Sequence, residues 1–589
     1  MNTIKMYLKT IRLSLYISFK ASVPIMLLRL ITLLIGSFIP LINMIALKNI
    51  INGLVTTDYS ITMYYFLLLG MAQILSAVIG KLTNFFATIH ADKISLIITE
   101  DIIDGVNKLD ISYFDTPKLF DEMMSVSRDI NSIPSLIWTI LSSIQVVVQL
   151  IIAFIIMANF GWWVSLFICL TCIPNFIVDK RNALQMYNWN RGIVSEVRKM
   201  NYSYDTLTSK YFSKDIRIKS ITEYLKDKYY RKWFSWYNEK RKLTKKHFFG
   251  SFFTMFLPHA ATLLFAYVLI NNILQSKNTV GDFSYYLGIM NQLITCTFGL
   301  VGAISEIIQQ KTKIEHYNKF KNWKPAILQP VNGIKATSFE SLEFSHVSFS
   351  YPNTDELVLN DVSFVIHSGD RIGLVGKNGC GKSTIIKLIL CLYKPTKGTI
   401  LLNGIDVFKY DIGSYRMLIS EMLQDYVNYS FTLRENIITA DIQSDCTEEK
   451  IIKACRMSDA YSFIKKWPNG IDSFLTKSFD EQGVELSGGQ WQKLALSRFF
   501  YKKASFYILD EPSASLDIEA ESTIFNNVLN QLSGTTILLV SHRLSNIKMM
   551  SKIIVLDNGQ MIETGSHDEL MQKKGLYAYL YNIQQEKFN

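Results

Sequence analysis

Cysteine is scarce in this chain: seven residues in 589, odd in number and scattered. That pattern excludes a disulfide framework. Cys169 and Cys172 form a CxxC, but inside an apolar run, where they read as small packing residues on a buried helix rather than as a redox or zinc site. A secretory signal is also missing, because the first apolar stretch is too long for a signal core and no small-residue cleavage site follows it. Long apolar runs are almost absent after Ile308, although hydrophobic residues make up 49% of the chain and mean hydropathy is +0.17. A chain of this length exceeds one core, so a membrane-embedded N-terminal half precedes a separate, more polar domain. Acidic residues are outnumbered, 50 against 61 basic, for a net charge of +11 and a pI near 9.0. Such a balance suits nucleic acid, an anionic membrane face or anionic ligands, and the apolar half selects the membrane.

Six runs approach the ~20 apolar residues that a helical span requires: 22–46, 61–88, 134–159, 161–178, 248–274 and 283–308. Before them, Ile4, Leu8, Ile11 and Leu15 alternate with Lys5, Lys9 and Arg12, so residues 1–20 read as a basic amphipathic helix on an anionic surface. The first, third and fifth links are short and nearly uncharged; the second and fourth (89–133 and 179–247) are long, polar and, in the fourth, rich in Lys and Arg. The positive-inside rule places those two links and the N-terminus in the cytoplasm, and six spans return the chain to the same side. Between Lys226 and Lys246, cations interleave with Tyr229, Tyr230, Trp233, Trp236 and Tyr237. That mixture is compatible with RNA binding, but between spans it reads as a helix leaving the bilayer through an aromatic belt. Residues 21–310 are thus the membrane domain and 311–338, with Pro325 and Pro330, a linker. From 339 to 589, short β-rich runs alternate with helices, as in an α/β domain.

Gly376, Lys377, Asn378, Gly379, Cys380, Gly381, Lys382, Ser383 and Thr384 match G-x-x-x-x-G-K-[ST] between a strand-like and a helix-like run. In that context the glycines let backbone N–H groups close around phosphates at a helix N-terminus. Lys382 is expected to reach the β- and γ-phosphates and Ser383 to ligate Mg²⁺. Residues 506–511 form an apolar strand ending in Asp510 and Glu511. Adjacent carboxylates with no cation nearby in sequence call for a metal or substrate: Asp510 on the Mg²⁺ side, Glu511 as the base for the attacking water.

Leu486 to Gln490, with Ser487, Gly488 and Gly489, resembles the signature of ABC ATPases. The remaining ABC elements follow in order: Tyr351 where an aromatic stacks on adenine, Gln424 in the Q-loop, Ser515 to Asp517 in the D-loop and His542 in the switch. The resemblance covers the nucleotide-binding domain, residues 339–589. It implies that Ser487, Gly488, Gly489 and Gln490 bind ATP held by a second subunit, that Gln424 sits near Mg²⁺, that His542 senses the γ-phosphate, and that a homodimer has two competent sites. The expected cofactors are ATP and Mg²⁺.

A membrane domain preceding the ATPase on one chain, six spans and two long inner links resemble ABC exporters, and Tyr113-Phe114-Asp115 resembles the segment after their second span. Gln490 to Lys493, Leu423 to Tyr426, Thr432 to Asn436 and Ala504 to Pro512 are similar to bacterial exporters of lantibiotics and related peptides. With the first span near Ser22, no N-terminal peptidase is expected. The segment Thr476 to Gly483 keeps Glu481 and Gly483 but otherwise departs from the exporter coupling segment. The resulting expectation is a bacterial plasma-membrane homodimer exporting a lantibiotic-like peptide or other amphipathic substrate, with its N-terminus and ATPase cytoplasmic. A multidrug or lipid exporter is the alternative; a non-transporting ATPase on nucleic acid is remote, and no nucleic-acid partner is expected. Arg29 and His259 are the ionisable residues within predicted spans that bear on cargo. Arg29 is expected to snorkel toward the cytoplasmic end, and His259, after Pro258, to reach a cavity as readily as not.

Overall fold

The computed structural model describes residues 2–129, 133–325, 327, 330, 332–512, 525, 528, 530–532 and 534–586. Contacts divide the chain into two units: Met1–Lys108 with Asp121–Trp323, and Leu109–Phe120 with Lys324–Asn589.

The first unit is helical. Its elements are α1 (Asn2–Ala21), α2 (Val23–Val55), α3 (Tyr59–Asn107), then after α4 (Ser112–Asp115) and α5 (Pro117–Asp129) the long α6 (Ile133–Gly192), α7 (Val194–Thr208), α8 (Lys210–Ile218), α9 (Thr222–Leu274) and α10 (Val280–Lys321). Five of these helices are long and apolar enough to cross a membrane. The longest, α6, is two helices joined where Gly161 is extended (φ 167°, ψ 113°), which divides it at the expected boundary between the third and fourth spans. With α6 counted as two, the apolar helices correspond to the six expected spans.

The two long links are not loops. α3, α6 and α9 continue as helices well beyond their apolar stretches, and the basic aromatic run Lys226–Lys246 lies wholly within α9. Trp233 stacks on Tyr237 with centroids 5.2 Å apart, and Lys240 lies over Trp236. Likewise α10 runs to Lys321, into the stretch expected as linker. Asp101 ties three helix ends together: its Oδ2 accepts from Tyr317 Oη (2.5 Å) and Lys321 Nζ (2.9 Å), and its Oδ1 accepts from Lys20 Nζ (3.2 Å).

Among the described residues the second unit holds ten strands: β1 (Ser341–Phe349), β2 (Leu359–His367), β3 (Arg371–Gly376), β4 (Lys397–Leu402), β5 (Ile405–Asp406), β6 (Ile419–Met422), β7 (Phe506–Asp510), β8 (Thr536–Val540), β9 (Lys552–Asp557) and β10 (Gln560–Gly565). One sheet is antiparallel, in the order β2-β1-β4-β5; the other has the order β10-β9-β3-β8-β7-β6, parallel except for β10. All five residues of β7 and of β8 are buried, which explains the apolar runs Phe506–Leu509 and Ile537–Val540: a parallel strand is covered on both faces. Each fully buried Ile or Leu there contributes roughly 1.5–3 kcal/mol of transfer free energy. Three helices matter to the site: α11 (Lys382–Ile389), α12 (Gly488–Tyr501) and α13 (Leu576–Glu586). Because β3, β8 and β7 are parallel neighbours, the segments that leave their carboxyl ends converge on one edge, where ligands bind in open α/β sheets.

Candidate functional site

The phosphate loop leaves β3 and enters α11. Gly381, which caps α11, has φ +105°, and a Cβ there would come within 2.6 Å of Leu359. Gly376 is equally constrained, since its Cβ would meet the Leu556 carbonyl oxygen at 2.4 Å. Glycine at both positions lets the loop wrap tightly. Within it, Lys382 is buried and its Nζ donates to the carbonyls of Gly376 and Lys377, each at 2.9 Å. Cys380 is buried, and that burial pushes its thiol pKa up. Its side chain is part of the hydrophobic core. Tyr351 Oη shares a hydrogen bond with Thr384 Oγ1 at 3.1 Å, and its ring packs edge-on to Tyr393 at 5.3 Å. Tyr393 in turn donates to Asp115, so the Tyr113–Asp115 segment meets the aromatic cluster inside the second unit.

Asp510 ends β7 and is 4% exposed. Burial, then the charge of Glu511, raises its pKa to about 6, opposed by the Ser383 hydroxyl and Lys382. Its Oδ1 has no hydrogen-bond partner. A buried carboxylate oxygen without a donor, beside a hydroxyl, fits a hard dication. Among the described residues no three His, Cys, Asp or Glu side chains cluster as a metal cage. Mg²⁺ is bound through one or two carboxylates with phosphates and water completing its shell, which Asp510 beside the Ser383 hydroxyl can provide.

Glu511 follows with φ +51°, a left-handed conformation that a non-glycine residue holds at a penalty on the order of 1 kcal/mol. Its backbone N–H donates to the Val540 carbonyl at 2.9 Å, which holds the turn against β8. Both its carboxylate oxygens are engaged: Oε2 accepts from Gln424 Nε2 at 3.0 Å and Oε1 lies 2.5 Å from His542 Nε2. Gln424 and His542, expected toward Mg²⁺ and the γ-phosphate, thus flank the expected base.

Ser487 caps α12. Its hydroxyl accepts from the Gln490 N–H at 3.3 Å, and its own N–H donates to Gln490 Oε1 at 2.9 Å. Gly488 and Gly489 are the first residues of the helix, and the Gln490 carboxamide is folded back into the cap. The N–H groups of the first turn still emerge at the positive end of the helix. The D-loop, 515–517, lies outside the described residues.

Two glutamines escaped the sequence reading. Gln492 is 2% exposed and its Nε2 donates to the Pro512 carbonyl at 2.7 Å, bracing α12 against the turn that bears Glu511. A glutamine on an otherwise apolar helix face was the available signal. Gln584, in α13, accepts from the Leu544 N–H at 2.7 Å and donates to the His542 carbonyl. No local motif marked it.

In the membrane unit, Arg29 does not snorkel. It is 3% exposed, with its guanidinium over the Trp138 ring, a cation–π contact that replaces hydration. His259 is exposed on α9. A cavity of about 620 Å³ is instead lined by Asn175, Asp179, His247, Ser251, Phe252 and Phe298 among others, and His259 is not one of them.

Comparison with known proteins agrees with this architecture. The ABC transporter family model matches residues 359–514, and that of the ABC transporter transmembrane region matches residues 26–180. The subtilin transport ATP-binding protein SpaT of Bacillus subtilis is 28% identical over 550 residues, covering 92% of this chain and 89% of that one. The nisin transport ATP-binding protein NisT of Lactococcus lactis is 26% identical over 563 residues, covering 94% and 93%. A Bacillus subtilis protein named for multidrug export is 35% identical but covers 54% of this chain. The solved structure of a bacterial Atm1-family ABC exporter with ATP bound superposes with a TM-score of 0.74 at 22% identity, over 94% of this chain and 97% of that one, a likeness of fold.

Proposed function

As an ABC exporter with its transmembrane region and its ATP-hydrolysing domain on one chain, the protein couples ATP hydrolysis to transport, and we propose that its cargo is a ribosomally made, lantibiotic-like peptide. The observation that carries this reading is the extent of similarity. Two relatives that match this chain nearly end to end are named for subtilin and nisin transport, whereas the protein named for multidrug export is similar over 54% of it. A multidrug or lipid exporter is the second reading, favoured by the higher identity within that shorter match.

In this account the protein works as a homodimer in the bacterial plasma membrane, with the N-terminus and the ATPase in the cytoplasm. The basic stretch of α9 supports that orientation. ATP sits on the phosphate loop with Tyr351 against the adenine. Lys382, now on two loop carbonyls, moves its ammonium to the β- and γ-phosphates. Ser383, Asp510 and Gln424 would hold Mg²⁺, which when bound would neutralise phosphate charge. Glu511 Oε accepts the proton of the attacking water, and Gln424 and His542 fix its orientation. The first turn of α12, with Ser487, Gly488 and Gly489, offers N–H groups to the γ-phosphate of ATP on the other subunit. Closure of that dimer switches the membrane domain from inward to outward opening.

The test is the ATPase rate of purified transporter in lipid vesicles, with a leader-bearing precursor peptide or a panel of unrelated lipophilic drugs. Cargo changes the rate only if it binds the two states unequally. Stimulation by precursor alone supports the reading; stimulation by many drugs and not by peptide replaces it with the second.

A further inference from the structure

The loop that carries His542 is short, with His542 itself exposed, and its own strand β8 ends before it, at Val540. Within the loop, the Ser541 hydroxyl accepts from the Arg543 N–H at 3.0 Å; the backbone groups of His542 and Leu544 are held from elsewhere in the fold. The Gln584 carboxamide brackets the loop on both sides of Arg543: Nε2 donates to the His542 carbonyl, and Oε1 accepts from the Leu544 N–H at 2.7 Å. One planar amide thereby fixes two backbone groups and the orientation of the peptide run between them.

The bracket is anchored. At the start of α13, the Glu563 carboxylate accepts from the Leu576 N–H at 2.6 Å and the Tyr577 N–H at 3.3 Å, a charged cap suited to a helix N-terminus. Tyr577 is fully buried, and its hydroxyl pairs with His567 Nδ1 at 2.8 Å. The helix is thus pinned near its beginning and delivers Gln584 near its end, while the side chain of His542 stands 2.5 Å from Glu511.

We propose that Gln584 is a positioning residue for ATP hydrolysis, holding the His542 backbone so that the imidazole stays in register with Glu511. The inference rests on the roles given above to His542 and Glu511, and it extends the site to the C-terminal helix. Gln584 touches neither nucleotide nor water; it acts through His542.

The experiment compares full-length transporter in lipid as wild type, Gln584→Ala, Gln584→Glu, His542→Ala and the His542→Ala/Gln584→Ala double variant, with Gln585→Ala as a control on the same helix. Gln584→Ala is expected to lower kcat about tenfold while KM for ATP moves less than about twofold, the split that marks lost transition-state positioning rather than lost binding. Gln584→Glu keeps the acceptor for the Leu544 N–H but sets a carboxylate against the His542 carbonyl, so it falls as far; it carries the test if the alanine variant does not fold. The double variant should be no slower than His542→Ala alone, because both changes remove one function. Wild-type turnover in both Gln584 variants, a rise in KM at unchanged kcat, or losses that multiply in the double variant would overturn the proposal. Failure of the account of His542 itself is distinguishable: His542→Ala would then turn over normally.

Discussion

His542 Nε2 stands 2.5 Å from Oε1 of Glu511, a contact that joins the histidine expected as the switch directly to the acid that follows β7. With Gln424 on the other oxygen, the carboxylate has one orientation. Glu511→Gln keeps the shape of the side chain and removes its basicity. We expect ATP affinity to stay within about threefold of wild type and turnover to fall by ~10²–10⁴, the usual range for a general base. ATP binding and phosphate release, measured on the same preparation, check this; comparable phosphate release in both proteins would remove Glu511 from the role.

The two faces of the ATP site are expected on different subunits. Ser487→Arg blocks one face and Lys382→Ala the other, so mixed dimers should have one intact and one doubly damaged site. Activity above either parent in verified mixed dimers is the expected outcome. No recovery, where single sites are shown to turn over independently, would place both faces on one chain.

Asp510 gives a pH signature. Its folded pKa is about 6, raised by burial and by Glu511. Because that value lies above the unfolded one, the favourable contribution to stability is fully present below pH ~4 and is lost as pH rises through ~6. Asp510→Asn should therefore stabilise the metal-free, nucleotide-free ATPase unit by roughly 3 kcal/mol at pH 7.5 and by little at pH 4, while abolishing Mg²⁺-dependent hydrolysis. Thermal unfolding at the two pH values checks the sign. Equal melting shifts at both would show that Asp510 carries no buried charge.

Tyr393 connects the Tyr113–Asp115 segment to the aromatic ring at Tyr351. The same segment is held by the Tyr113 hydroxyl on the Lys324 carbonyl at 2.6 Å and by Asp110 accepting from the Ile327 N–H at 2.9 Å. Tyr393→Phe keeps the ring packing and removes one hydrogen bond, worth about 0.5–1.5 kcal/mol. Basal ATPase should change little and its stimulation by cargo should drop. Loss of basal and stimulated rates in equal proportion would show that the contact serves only the ATPase.

The phosphate loop and the Asp510–Glu511 strand end were legible in sequence because each is contiguous and its geometry dictates its residue types, as φ +105° does at Gly381. The break between the third and fourth spans was placed between residues 159 and 161 by hydropathy, and the helix is interrupted there, at Gly161. What remained hidden depends on contacts between distant positions. Gln584 meets His542 across the fold, and Arg29 finds Trp138 on another helix, so neither partner is visible from its neighbours. Helix length was hidden differently: hydropathy marks where the apolar stretch of α9 begins, but the helix itself continues through Lys and Arg residues that form helices well in water.

The central claim, ATP-driven export of a peptide, is tested most directly in inside-out vesicles. These would contain either wild-type protein or Glu511→Gln, be supplied with ATP and Mg²⁺, and be offered a leader-bearing precursor peptide or a panel of lipophilic drugs. The account predicts that precursor, with its leader still attached, accumulates in wild-type vesicles and not in Glu511→Gln vesicles. Accumulation of drugs but never of peptide, or of peptide equally in both preparations, would contradict it.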